Sequence, residues 1–139
     1  MMQKFLDLKI KTNGLRLYEF TNEIISWIKS NKFQNGLLNI SIQHTSAFLI
    51  VQENADLDVL TDLVNYFDKL VPMNSDLYIH SAEGKDDMPS HIKSSFTNNQ
   101  ISLSIKESNL LLGTWQGIYL FEHRINHQNR MVILHYLGN

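Results

Sequence analysis

The sequence has no cysteine among its 139 residues. The chain therefore forms no disulfide bond and offers neither a thiolate ligand for zinc nor a cysteine nucleophile. Any metal ion must be bound by histidine, carboxylate or neutral oxygen ligands. Basic residues are also few, since 12 lysines and arginines stand against 14 acidic residues and leave a net charge of −2. This charge gives no reason to expect a nucleic-acid partner.

Long apolar runs are missing as well. None approaches the roughly 18 residues that a membrane-spanning helix needs. The charged residues Asp7, Lys9 and Lys11 interrupt the N-terminal segment, where a signal peptide would be apolar. We therefore expect no membrane partner and a cytoplasmic location. The length, with 43% hydrophobic and 19% charged residues, predicts a single folded domain over residues 1–139.

Alternation of apolar and polar residues predicts most of the strands. They are expected near residues 5–10, 15–20, 38–42, 47–51, 101–105, 110–112, 118–122 and 131–137. The dipeptide Asn13-Gly14 predicts a tight hairpin turn that would pair the first two of these strands.

Two long helices and one short helix complete the predicted order. The first long helix begins at Thr21, a candidate N-cap, and the second spans residues 54–70 with Asp56 as its cap. Pro89 fits the first turn of the short helix. This order is typical of an α+β domain with a mainly antiparallel sheet that closes into a partly open barrel. We expect both long helices on one face of that sheet.

The stretch from Asp86 to Ser95 contains two acids, an imidazole, an ammonium group and three hydroxyls. One interpretation is a solvated surface helix capped by Asp86 or Asp87. The other is part of a functional site, since His91 and Ser95 stand four residues apart and share a helix face. On a regular helix, Lys93 points in another direction.

The six histidines, at positions 44, 80, 91, 123, 127 and 135, show no local zinc-binding spacing. A metal site would have to be assembled from separate segments. His44, between two predicted strands, either faces a cleft or is a hydrogen-bonded structural residue. His80 lies in a polar loop and is either solvated or part of a site. We interpret His135 as structural and His127 as exposed.

Glu122 stands in a predicted apolar strand, and a buried carboxylate must be paired or functional. Arg130, in the following strand, is a candidate partner. A structural ion pair and a functional role are equally open for Glu122.

Taken together, several blocks of the sequence closely resemble the YjbQ-like family, whose members are described as secondary thiamine-phosphate synthase enzymes or as conserved proteins of uncertain function. The blocks are Gln43-His44-Thr45-Ser46-Ala47, Glu53-Asn54-Ala55-Asp56, the segment from His80 to Ser95, Leu112-Gly113-Thr114-Trp115-Gln116-Gly117-Ile118, and Glu122-His123-Arg124 with Arg130. They occur in order and with matching spacing from near residue 3 to Leu137.

The resemblance implies an α+β fold with a partly closed barrel and a compact homotrimer. It also implies a small metal-dependent enzyme that acts on a phosphorylated small molecule. The reaction implied is that of thiamine phosphate synthase, which joins a hydroxymethylpyrimidine diphosphate to a thiazole phosphate and releases pyrophosphate.

By position, the resemblance assigns three groups of site residues. The expected ligands of a divalent metal ion, zinc or magnesium, are His44, His80 and His91. The candidates for acid–base or charge-stabilising roles are Glu53, Glu83, Glu122 and Lys93. The candidates for contacts with substrate or phosphate are Lys93, Ser94, Ser95, Thr45, Trp115, Gln116 and Arg130, and Trp115 and Gln116 are also expected to support the trimer contact.

The sequence departs from the family pattern at Asn126-His127-Gln128, where a His-Gly-Gly turn is common, so no role passes to His127. His123 matches only part of the family. Two other functions remain beside the metal-dependent enzyme: a non-catalytic trimer that binds a metal or a phosphorylated metabolite, and a zinc-dependent hydrolase.

Overall fold

The two longest strands, β1 (Met2–Thr12) and β8 (Gln128–Gly138), pair antiparallel along their whole length. The computed structural model describes all residues from Met1 to Asn139. The remaining elements are β2 (Arg16–Glu19), α1 (Thr21–Asn31), β3 (Gly36–Ile42), β4 (Ala47–Glu53), α2 (Leu57–Leu70), a 3₁₀ turn (Ser75–Leu77), α3 (Asp87–Ser95), β5 (Gln100–Lys106), β6 (Asn109–Leu110) and β7 (Gln116–Glu122).

The strands form two antiparallel sheets, one of which curls as a half-barrel. The larger sheet has the order β1-β8-β3-β5-β6, and the smaller has the order β2-β7-β4. The predicted α+β class, with an antiparallel and partly closed sheet, is therefore confirmed. No helix is long and apolar enough to cross a bilayer.

The predicted hairpin at Asn13-Gly14 is wrong. The turn exists, with Gly14 at a φ of 95°, but β1 pairs with β8 while β2 pairs with β7 in the other sheet. All eleven residues of β1 find partners on β8, whereas β2 has only four residues to offer. The chain therefore crosses from one sheet to the other instead of folding back.

Three such crossings lie at one end of the molecule. The connections β1–β2, β3–β4 and β7–β8 each join the larger sheet to the smaller, and their ends meet where Arg16 and Ala47 both pair with Glu122. We call this end the corner. The corner brings together residues that are more than a hundred positions apart in sequence, and there the Thr12 hydroxyl donates a hydrogen bond to Glu122.

The smaller sheet is the middle layer of the fold. On one face, Ile118 and Leu120 of β7 join the main core between the two sheets, which also includes Ile24 and Ile28 of α1. On the other face, Tyr119 and Phe121 form a second cluster covered by half-buried side chains of α2. Because β7 is apolar on both faces, it needs cover on both sides. The two long helices consequently lie on opposite faces of this sheet, and the expectation of a shared face is wrong.

Helix starts match the predictions only in part. Asp56 caps α2 by accepting from the Asp58 amide at 2.9 Å. Thr21 does not cap α1. It is the first helical residue, and its hydroxyl donates to Glu19 and accepts from the Ile118 amide at 2.9 Å. Thr21 thus joins α1 to the middle sheet.

Candidate metal centre and adjoining cavities

His80, Asp87 and His91 lie close together at the corner and form the candidate metal centre. A polar loop after the 3₁₀ turn carries His80, and α3 carries the other two residues four positions apart on one helix face. Asp87 Oδ2 lies 2.6 Å from His80 Nε2 and 3.2 Å from His91 Nε2. These three ligand atoms lie within 4.8 Å of one another, and this is the only such group of histidine and acidic ligands in the chain.

Two further groups hold this cluster in place. The Nδ1 of His91 donates to the Thr45 carbonyl at 3.0 Å, which ties α3 to the β3–β4 connection. Arg124, just after β7, donates to Asp87 Oδ1. A histidine that donates one ring N–H to a carbonyl, and a carboxylate held by a neighbour, are the usual supports of metal ligands.

Asp86 and Asp87 are buried next to Arg124. Burial by itself would raise the pKa of Asp87, but the hydrogen bond from His80 and the charge of Arg124 outweigh it and hold that pKa below its usual value. For Asp86, burial likewise opposes the shift, and bonds from the Ile125 amide and Arg124 lower its pKa. Both groups are therefore carboxylates at neutral pH.

The structure does not bring His44 into this cluster. Its Nε2 accepts from the Met131 amide at 2.9 Å, so the neutral ring carries its proton on Nδ1. Burial and the nearby Arg130 lower the pKa of His44, while Glu122 opposes the shift. The Nε2 atom is therefore already bonded to the backbone, while the Nδ1–H remains available as a donor. In the structure Asp87, rather than His44, lies beside His80 and His91.

A polar cavity of about 300 Å³ adjoins His91. It brings together five residues that the family resemblance assigns to the site, and its lining consists of His44, Thr45, Ala47, Phe48, His91, Ser94, Ser95 and Asn99. The Ser94 hydroxyl oxygen is buried and has no hydrogen-bond partner. An unpaired buried hydroxyl at the wall of a cavity suits a bound polar group.

A second cavity, of about 590 Å³, adjoins His80 and is mainly apolar. Its other walls are Leu77, Tyr78, Ile79 and Met88. The rings of His80 and His91 have centroids 5.7 Å apart, so the candidate centre lies between a polar cavity and an apolar one.

Lys93 does not line either cavity. Its side chain is 1% exposed, and its Nζ donates to Asp68 of α2. The ammonium group therefore joins α3 to α2, in agreement with the different helix face expected for this residue. The structure does not bring it to His91, Ser94 or Ser95.

Glu122 and Arg130 form a fully buried pair behind the polar cavity. Arg130 Nε lies 2.7 Å from Glu122 Oε1, and its Nη2 also donates to this carboxylate. Glu122 further accepts from the Thr12 hydroxyl at 2.6 Å and from the amides of His123 and Arg124. Of the two interpretations left open by the sequence, the ion pair is present, and it fastens three strands at the corner.

Four other predicted residues, Glu53, Glu83, Trp115 and Gln116, lie outside the cluster and both cavities. Glu53 pairs with Gln116 at the opposite end of β4 from Ala47, which puts it roughly 20 Å along the strand from the polar cavity. Trp115, next to Gln116, is 64% exposed. Glu83 lies nearer, where its carbonyl accepts from Arg124 at 3.0 Å.

Sequence reasoning missed Asp87 as a candidate ligand, Arg124 as its support, and the burial of His123. The i, i+4 spacing of Asp87 and His91 was the available signal for the first. His123 is fully buried among Phe48, Phe67 and Phe121, and neither ring nitrogen has a hydrogen-bond partner. Burial, with the charges of Lys93 and Arg130, lowers its pKa to about 2.

Comparison with known proteins places these features in a family. The model of the family described as "UPF0047 protein YjbQ-like" matches residues 6–139. The chain belongs to the YjbQ/UPF0047 family. It is 46% identical over 131 residues to UPF0047 protein sll1880 of Synechocystis, covering 94% of this chain and 89% of that protein. It is 43% identical to UPF0047 protein YjbQ of Escherichia coli O157:H7, with 94% of each chain covered.

Solved structures give the same family. A protein of Clostridium acetobutylicum, described as an uncharacterized conserved protein of the YjbQ/UPF0047 family, superposes with a TM-score of 0.84 at 28% identity, over 95% of this chain and 99% of that one. A hypothetical protein from Aeropyrum pernix superposes with a TM-score of 0.87 at 24% identity, over 98% and 99% of the two chains, which is a likeness of fold. The family as a whole is of uncertain function.

Proposed function

We propose that the chain is a metal-dependent enzyme acting on a phosphorylated small molecule, with His80, Asp87 and His91 as the metal ligands. The observation that carries the proposal is the orientation of His91. The Nδ1 of His91 donates to the Thr45 carbonyl, so in the neutral ring Nε2 carries no proton and can only accept. This Nε2 nevertheless faces Asp87 Oδ2 at 3.2 Å. Two acceptors in contact need a proton or a cation between them.

The donor set fits a divalent ion, and it favours one of the two ions that the sequence left open. Two imidazole nitrogens and one carboxylate oxygen suit zinc, whereas magnesium prefers oxygen ligands alone. Three protein ligands also leave a position for substrate, as catalytic zinc sites do. When bound, such an ion supplies a Lewis acid that stabilises negative charge on phosphate oxygens.

The residues of the polar cavity would bind and orient the phosphate. Ser94 presents an unpaired hydroxyl and Asn99 an amide, and both can donate to phosphate oxygens, whereas the Ser95 hydroxyl already donates to the His91 carbonyl at 2.8 Å. The neutral His44 ring, with its proton on Nδ1, adds a further donor to the same wall. The organic part of the substrate would lie against the apolar walls next to His80, which include Met88.

The candidate reaction is the thiamine phosphate synthase reaction that the family resemblance implies. A pyrimidine ring in the apolar cavity and a diphosphate in the polar one would put the departing pyrophosphate beside the ion. We also propose that the protein acts as a homotrimer, since Leu77, Ile79 and Trp115 are 60%, 103% and 64% exposed. Large exposed apolar side chains of this kind support association with another copy.

Metal content measured by elemental mass spectrometry tests the proposal. We expect about one zinc ion per chain in purified, untagged protein, and loss of that ion in His80→Ala and His91→Ala. His44→Ala should keep the ion but weaken the binding of inorganic phosphate. A protein that cannot be loaded with zinc, or that keeps its zinc in His91→Ala, would contradict the proposal. Pyrophosphate release from the pyrimidine diphosphate and thiazole phosphate then tests the reaction.

A non-catalytic module that binds a phosphorylated metabolite is the second candidate. One observation favours it: Lys93, the cation expected to stabilise a leaving group, pairs with Asp68 away from the cavity. Saturable binding of phosphate esters by zinc-loaded protein, without turnover of any of them, would select this function over the enzyme.

A further inference from the structure

Arg124 makes three directed contacts at the candidate centre. Its guanidinium, which follows β7, donates through Nε to Asp86 Oδ2 at 3.0 Å, through Nη1 to Asp87 Oδ1, and through Nη2 to the Glu83 carbonyl at 3.0 Å. The side chain is 18% exposed. One side chain thus fastens the loop that carries His80, the start of α3, and a ligand of the candidate centre.

The two oxygens of the Asp87 carboxylate consequently have different partners. Its Oδ1 accepts from Arg124, while its Oδ2 faces the Nε2 atoms of His80 and His91. Rotation of the carboxylate would break the contact with Arg124, which is itself held by Asp86 and Glu83. The fixed guanidinium therefore keeps one oxygen directed at the two imidazoles.

We propose that Arg124 is the positioning residue of this centre and that it sets the affinity for the metal ion through Asp87. This inference rests on the proposed function. It assigns no contact between Arg124 and substrate, and no chemical step.

The charge of Arg124 and its hydrogen bonds have opposite effects on the affinity for the metal ion, and the choice of variant separates these effects. A cation near the ion repels it, so removal of the charge of Arg124 would favour metal binding. Loss of the three directed bonds would weaken metal binding, because outer partners that orient metal ligands typically contribute 10- to 100-fold in affinity. Arg124→Lys keeps the charge but cannot reproduce the planar fork. A loss of affinity in this variant therefore reports on geometry.

Competition titration of zinc against a chromophoric chelator measures the affinity for wild type, Arg124→Lys and a control, Arg16→Lys. Arg16 lies over the Tyr18 ring at 5.4 Å and contacts none of the three ligands. We expect zinc binding to weaken by about tenfold or more in Arg124→Lys and to be unchanged in the control. The visible absorption of bound Co²⁺ should also change in Arg124→Lys, because it reports on ligand geometry rather than on folding.

Each outcome decides between the two proposals. If wild type binds zinc and Arg124→Lys binds it within about threefold of wild type, with an unchanged cobalt spectrum, Arg124 is not the positioning residue and the metal centre stands. If wild type binds neither zinc nor cobalt, the metal centre itself is wrong and this inference is wrong with it. Urea unfolding at the same protein concentration shows whether any variant has lost its fold.

Discussion

Replacement of His123 by phenylalanine should change how the stability of the protein depends on pH. The His123 ring is fully buried against three phenylalanines and both of its nitrogens lack partners. Burial and two nearby cations lower its pKa to about 2, whereas a histidine in an unfolded chain has a pKa of about 6.5. Acid therefore protonates the unfolded chain first and favours unfolding.

The sign and size of the effect follow from this difference. The stability that comes with the neutral ring is fully present above pH 6.5 and is lost as the pH falls from 6.5 toward 2. The slope is about 1.4 kcal/mol per pH unit in that window. Between pH 7 and pH 5, His123 alone should lower the free energy of unfolding by about 2 kcal/mol.

Urea unfolding followed by circular dichroism, at pH 7 and pH 5 and at one protein concentration, measures the effect. Wild type should lose about 2 kcal/mol more than His123→Phe between the two pH values. At a single pH the variant can be more or less stable, because removal of unpaired nitrogens and insertion of a larger ring oppose each other. The pH difference is free of that offset, since His44, Asp86 and Asp87 titrate in both proteins.

The matched control is His127→Phe, which replaces an exposed histidine in the β7–β8 connection. An exposed ring is in contact with water in both the folded and the unfolded chain, so the control should lose as much stability as wild type. Equal losses in wild type and His123→Phe would refute the reasoning, since they would mean that the His123 ring is hydrated or paired in solution.

Three further predictions concern the surroundings of the site. Glu122→Gln should cost about 3–5 kcal/mol in urea unfolding at pH 7, because it leaves Arg130 as an unpaired buried charge; a cost below 1 kcal/mol, the range of exposed pairs, would contradict the buried pair. Asp56→Ala should cost about 1 kcal/mol through loss of the α2 cap, and Asp56→Asn, which keeps the acceptor, should be nearly neutral. Lys93→Met should keep the zinc content of wild type, because its ammonium group lies at Asp68 rather than in the cavity; loss of zinc would show that Lys93 acts in the centre.

The sequence predicts strands and helices well here but not their partners. The alternating residues of β3 and β5 are visible locally, because each strand buries one face. The pairing of β1 with β8 depends on an eleven-residue match between the two ends of the chain. Nothing in Asn13-Gly14 distinguishes a turn within a sheet from a crossing between sheets.

In the candidate site, too, the sequence predicts some residues but not the contacts that distant segments make with them. The proximity of His80 and His91 could be expected because they stand in matched blocks on both sides of the start of α3. The position of Asp87 beside them, and of His44 apart from them, could not, since the Met131 amide that donates to His44 Nε2 comes from β8, 87 residues away. Likewise, Lys93 was expected on another face of its helix, but its partner on α2 depends on how two helices pack across β4 and β7.

The distance between the two ends of β4 bears on the proposed trimer. Ala47 lines the polar cavity at the corner, whereas Glu53 pairs with Gln116 roughly 20 Å away, beside the exposed Trp115. Within one chain, Trp115 and Gln116 cannot contact a small molecule bound in the polar cavity, because such a molecule is shorter than the roughly 20 Å between the two ends of β4. If Trp115 and Gln116 contribute to the site, they must do so from a neighbouring copy. Trp115→Ala would then weaken both association and phosphate binding, whereas a purely local role would leave the polar cavity unchanged.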